Sequence, residues 1–218
     1  MTVRFVAAGA LTVCACAFAA VSAQAPNVRD VKLVGDRFKP LTYAEMTPPQ
    51  RSMIEHLLGG ERGVTSGPFN VFLRSPEMGD AAQQLGAQIR FHSSLAPRIR
   101  EMAILLTARH WTAQYEWYAH KRLALEAGLK QEIVDAIAAG KRPAAMQADE
   151  QTLYALETEL LDTAQVSDAT FRAGVAAFGE RGVVDLMGLV GYYHLVSLAL
   201  NVDRYPLPDG AKPELARR

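Results

Sequence analysis

The sequence predicts an all-α protein, a single-domain helical bundle of about seven to eight helices. Three observations carry that expectation. Apolar residues recur at spacings of three and four along most of the chain, and no stretch alternates with period two for long enough to make a strand. No repeat of fixed period and no low-complexity run interrupts the pattern. The 218 residues, 50% hydrophobic and 21% charged, suffice for one sizeable core and exclude a disordered chain. Lys+Arg 23 balances Asp+Glu 23, so the basic surplus that a phosphate backbone demands is missing and no nucleic-acid partner is expected.

Residues 1–23 read as a signal peptide. Arg4 precedes a run from Phe5 to Val21 without a charged residue, and Val21-Ser22-Ala23 and Ala23-Gln24-Ala25 both offer small residues for cleavage. Cutting after Ala23 is favoured, because cutting after Ala25 puts Pro26 beside the scissile bond. The expected location is therefore periplasmic or secreted, with no stable membrane insertion after leader removal. An uncleaved anchor is one alternative, although the run is Ala-rich and short of the ~20 residues a span needs. An imperfect lipoprotein box, Val13-Cys14-Ala15-Cys16 with Cys16 acylated, is another. Cys14 and Cys16 are the chain's two cysteines, so cleavage leaves neither thiol nor disulfide.

Residues 24–46 lack sustained periodicity and read as an extended N-terminal arm; 47–208 form the helical domain and 209–218 a C-terminal tail. Thr47-Pro48-Pro49 is a helix start, with Met53, Ile54, Leu57 and Leu58 as the apolar positions and Gly59-Gly60 as the stop. Phe69 to Leu73 is a short apolar segment. Ser75-Pro76-Glu77 opens a second long helix, with Leu85, Ile89 and Phe91 on or near its inner side. Pro97 starts a third, carrying Ile99, Met102, Ala103, Leu105 and Leu106. A fourth runs from about Thr112 to Glu126 and stops at Gly128, and a short one covers Gln131 to Ala139. Leu153, Leu156 and Leu160 mark the next. Phe171, Val175 and Phe178 mark another, capped by Ser167. Val183 to Leu200 is nearly all apolar, but Asp185 and His194 interrupt it, so it reads as a buried core helix rather than a span.

The chemistry-bearing segment is Arg98 to Gly128. Glu116 and His120 fall one turn apart on one helix face, which Leu123, Ala124 and Ala127 continue. A carboxylate beside an imidazole fixes the ring tautomer and raises its pKa, as a general acid or base requires. An ordinary i,i+4 helix pair is one alternative; a metal site is another, and would need a third ligand from elsewhere. Glu101 is a second carboxylate. On one continuous helix it would sit roughly 22 Å from Glu116, so both belong to one site only if the chain breaks near 110–112, with Thr112 as the new N-cap.

His194 shares a stripe with Met187 and Asn201, where a simply hydrogen-bonded histidine is the alternative to a site role. Trp111, Tyr115, Trp117 and Tyr118 offer walls for a flat or cyclic ligand, or core. His56, His92 and His110 have no partner visible in sequence and read as structural or surface residues.

Arg100-Glu101, Tyr115-Glu116-Trp117 with His120, and Gly128 followed by Glu132-Ile133 together resemble the carboxymuconolactone decarboxylase family, which includes the alkylhydroperoxidase D-type proteins. The resemblance covers Phe69 to Pro208 and is most specific over 98–134; the tyrosine-rich last helix with Asn201 and the Tyr205-Pro206-Leu207-Pro208 exit add to it. It implies an alkylhydroperoxidase D-like fold and a homo-oligomer, trimer-based. The peroxidases of the family carry a C-x-x-C motif between a Glu and a His. Laid on this chain, Glu101 matches the Glu, Ala113 and Glu116 the two cysteines, and His120 the His. Neither Ala nor Glu can run a thiol–disulfide cycle.

The resemblance therefore implies the thiol-free, decarboxylase-like branch: a lyase in class terms, acting on a small carboxylated or lactone substrate with no metal and no organic cofactor. His120 would donate or accept the proton, oriented by Glu116, with Glu101 across the junction as a further catalytic carboxylate. Arg98 or Arg100 would anchor an acidic substrate, and Trp111, Tyr115 and His194 would line its pocket. The rival expectation is a non-catalytic ligand-binding or scaffold protein that kept the bundle and lost the redox site.

Overall fold

A computed structural model describes residues 31–217; the leader, both cysteines and the first part of the arm lie outside the described residues. Among these residues the chain forms eight α-helices and no strand. They are α1 (Pro48–Gly59), α2 (Phe69–Phe72), α3 (Pro76–Phe91), α4 (Pro97–Trp111), α5 (Gln114–Glu126), α6 (Gln131–Ala138), α7 (Ala148–Thr163) and α8 (Asp168–Asp203).

Proline at the first turn starts α1, α3 and α4, where a missing N–H removes no helical bond. Gln50 closes the start of α1 by accepting the Thr47 backbone N–H at 2.9 Å. The middle of the bundle is α4, which packs against α5, α6, α7 and α8. Its unbroken buried run from Met102 to Ala108 is what a helix covered on several sides requires. α8 completes the core with Leu186, Leu189, Val190, Val196 and Leu200.

The two helices expected at Phe171–Phe178 and Val183–Leu200 are joined across Gly179, whose φ of 70° and ψ of 168° suit only glycine. α8 is long and apolar enough to cross a membrane, yet 56% of its most apolar window is buried inside the protein. Its exposed apolar side carries Val184, Met187, Leu198 and Val202.

One expectation changes on folding. The inner face of α3 is made by Gly79, Ala82, Gln83, Gly86 and Ile89, whereas Leu85 (46% exposed) and Phe91 (41%) face outward. The large side chains misled because small residues let α3 lie close to its neighbours. The C-terminal tail docks onto α5 through Glu214 and Leu215: Leu215 is buried, its backbone exchanges bonds with Gln114 in both directions, and Glu214 accepts from Trp117 Nε1 at 3.2 Å and Lys121 Nζ at 2.7 Å. The arm is likewise anchored: Leu33 is buried, and buried Asp203 at the end of α8 accepts the Phe38 N–H at 2.8 Å.

Candidate active site

The junction between α4 and α5 is a single left-handed residue. Thr112, at φ 51° and ψ 39°, ends α4, and Ala113 starts α5 by accepting from Trp117 N at 2.9 Å. The break that the shared site requires is present, but Thr112 is the C-cap of α4 and the N-cap of α5 is Ala113. A β-branched residue in this region is strained by about 1–2 kcal/mol. Thr112→Gly should therefore stabilise the fold by roughly 0.5–1 kcal/mol once glycine's own entropy cost is subtracted, measured as a shift in urea midpoint at constant slope.

The reversal lays α5 back along α4 and brings Glu101 to His120. Glu101 Oε2 and His120 Nδ1 are 2.7 Å apart, with side chains only 12% and 7% exposed. A carboxylate oxygen accepts, so the imidazole proton sits on Nδ1 and Nε2 keeps its lone pair. Burial pushes the His120 pKa down, the bond and charge of Glu101 oppose the fall, and Arg90 and Arg62 add to it. The net direction is downward, so His120 is a neutral base near neutrality. Tyr193 sets its ring edge-on to the imidazole, centroids 5.0 Å apart.

Glu116 is not the residue that orients His120. It turns toward α8, where Ser197 Oγ donates to its Oε2 at 2.6 Å, and its Oε1 has no partner. Complete burial without a cation raises its pKa well above the ordinary carboxylate value, leaving a neutral acid with a proton to give. Two groups on one helix are thereby driven apart, one toward the base form and one toward the acid form. Around them lie Tyr192 and Tyr193, 2% exposed and with unpartnered hydroxyls, and Arg62, whose Nε and Nη2 are buried without an acceptor.

The remaining expected residues fall elsewhere. Arg98 is held by Asp149 at 2.7 Å and by Glu150, so it is no free anchor. Arg100 forms no ion pair among the described residues. Trp111 Nε1 donates to His194 Nδ1 at 2.7 Å, and Asn201 Nδ2 donates to the Trp111 carbonyl at 2.9 Å, so this group locks the end of α4 to α8. Tyr115 stacks at 4.3 Å on Tyr205 and lines a different cavity, of about 630 Å3, with Thr112 and Asn201. Among the described residues no cluster of three or more His, Cys, Asp or Glu is placed to hold a metal ion. His56 and His92 pair with Asp80 and Glu61 at the surface.

Sequence reasoning missed Arg62, Arg90, Tyr192, Tyr193 and Ser197. The i,i+4 spacing of Tyr193 and Ser197 on an apolar helix was a usable signal for two of them. Arg62, in a loop, had none.

Neither a family model nor a curated protein matches this chain. Among solved structures it is similar to an alkylhydroperoxidase AhpD core, described as an uncharacterized peroxidase-related protein from Ralstonia eutropha JMP134. That likeness has a TM-score of 0.65 at 16% identity and covers 79% of this chain and 92% of the other. At such identity it speaks for the architecture alone. The protein thus has an alkylhydroperoxidase D-like fold.

Proposed function

We propose that this protein is an enzyme of cofactor-free acid–base chemistry, a decarboxylation or related lyase or isomerase step on a small carboxylated or lactone substrate, and not a thiol peroxidase. One observation carries the reading: a buried imidazole held by Glu101 at 2.7 Å, whose second nitrogen has no hydrogen-bond partner among the described residues. Such a base takes a proton from carbon next to a carbonyl, and the Glu101 carboxylate stabilises the imidazolium that forms. Neutral Glu116 supplies the hydrogen bond that a developing enolate needs. In a decarboxylation the C–C bond to the carboxylate breaks, its electron pair moves into the lactone or keto carbonyl, CO2 leaves, and neutral Glu116 gives the proton that returns to carbon, taking one back from water afterwards.

The test is a panel of lactones and keto acids assayed by proton exchange in D2O and by CO2 release, with His120→Ala and Glu101→Gln as controls. Turnover that needs both residues supports the reading; unchanged turnover in both variants refutes it. A second reading, a non-catalytic ligand-binding or scaffold protein, is favoured by the engagement of Glu116 in a helix–helix bond with Ser197. Binding without any turnover across the panel would select it. Under either reading we take the chain to be exported and homo-oligomeric. The open apolar side of α8 supports the oligomer, which light scattering measures.

A further inference from the structure

Arg62 is a cation without a counter-charge. Its guanidinium carbon lies 5.2 Å from the Phe69 ring centroid, and it forms no ion pair among the described residues. Its Nε and Nη2 are both buried and both lack an acceptor among the described residues. Those two N–H groups lie parallel along one edge of the planar guanidinium, a fork that matches the two oxygens of a carboxylate. Two charged donors without a protein acceptor are desolvated at a cost that a bound carboxylate's oxygens would return.

The second donor is Tyr192, 2% exposed, whose hydroxyl is also unpartnered. Both groups gather over Gly86 of α3. A Cβ placed there would lie 2.4 Å from the Tyr192 hydroxyl and 2.9 Å from Arg62 Nη2. The absence of a side chain at residue 86 is what lets them converge. From this point the tyrosine pair leads to the base: Tyr192 and Tyr193 are edge to face at 5.4 Å, and Tyr193 meets His120 at 5.0 Å. At the surface, Arg90 lines a cavity of about 710 Å3 with Tyr118, Lys121, Arg122 and Glu214, in which Lys121 is paired with Glu214.

We propose that Arg62 and Tyr192, converging over Gly86, form a carboxylate clamp that holds a small monocarboxylate on the Nε–Nη2 edge of Arg62 and the Tyr192 hydroxyl. The clamp names the anchor and the substrate class of the site described above, and rests on that reading only for what happens to the bound acid. A single guanidinium among aromatic rings neutralises one charge, so a monocarboxylate suits it better than a dianionic phosphate.

Calorimetric titration tests this with acetate, benzoate, benzamide and inorganic phosphate, against the wild type and the variants Arg62→Gln, Tyr192→Phe and Gly86→Ala, each checked for folding by circular dichroism. Acetate or benzoate should bind the wild type, with affinity reduced about tenfold or more in Arg62→Gln and several-fold in Tyr192→Phe. Benzamide and phosphate should not compete. No carboxylate binding, equal binding of benzamide, tighter binding of phosphate, or unchanged affinity in a folded Arg62→Gln protein would each overturn the clamp. The readout needs no turnover. Carboxylate binding with no reaction across the lactone panel removes the enzyme and leaves the clamp, whereas His120-dependent turnover without carboxylate binding removes only the clamp.

Discussion

On whichever lactone or keto acid the wild type turns over, His120→Gln should lower kcat/KM about 10²–10⁴-fold, the range of a lost general base. Glu101→Gln should fall in the same range, though it never touches substrate, because its carboxylate fixes the proton on Nδ1 and balances the imidazolium. A pH profile separates this positioning role from general damage. In the wild type kcat/KM should rise with pH as His120 deprotonates, with a midpoint below the ordinary histidine value, since burial outweighs Glu101. Removing the Glu101 charge takes away the interaction that opposes burial, so the midpoint should move to still lower pH. A midpoint that stays put in Glu101→Gln, or moves upward, would separate Glu101 from the base.

The second large effect concerns a carboxyl outside the site. Glu157 of α7 is wholly buried, accepts from Thr107 Oγ1 at 3.0 Å, and has no partner for Oε2. Burial raises its pKa well above 4.5, as it does for Glu116. Below pH 4.5 both folded and unfolded chains hold the proton, and the group's contribution is fully present. Above it the unfolded chain releases the proton while the folded one keeps it. Stability therefore falls by about 1.4 kcal/mol per pH unit for each such group, until the folded pKa is reached. His120 acts with the opposite sign: its lowered pKa makes the fold lose stability as pH drops below 6.5. Glu157→Gln removes one ionisation without changing shape. The variant should be more stable than the wild type at pH 8 and no more stable at pH 4.5, in urea unfolding at both values. Parallel pH dependence in the two proteins would show that Glu157 ionises within the fold.

The sequence and the structure agree best where a helix has one apolar face and a chemical stop. α1 between Thr47 and Gly60, α6 and α7 were legible for that reason. α3 was legible in extent but not in orientation, because its packed face is made of Gly79, Ala82 and Gly86, whose value lies in what they let approach. Within the site, the pairing of Glu101 with His120 hung on one residue, Thr112, adopting a conformation that threonine disfavours. Sequence spacing called for a break there without dictating which carboxylate the imidazole would meet. The i,i+4 rule pointed to Glu116, but the contact with Ser197 on α8 draws that carboxyl away. Arg62 was invisible because a loop arginine gains its meaning only from the aromatic rings and the glycine that folding assembles around it.

The docked tail has a consequence for when the site can exist. Its contacts fall on Arg109, Gln114, Trp117 and Lys121, so residues 214–216 grip the end of α4 and the helix that carries Glu116 and His120. During synthesis those residues emerge about a hundred positions after their partners. Until they leave the ribosome, the Trp117 indole N–H and the Gln114 amide await their acceptors, and α5 rests on α4 and on whatever part of α8 has been made. The helix that carries Glu116 and His120 therefore completes its polar contacts only through residues made about a hundred positions later.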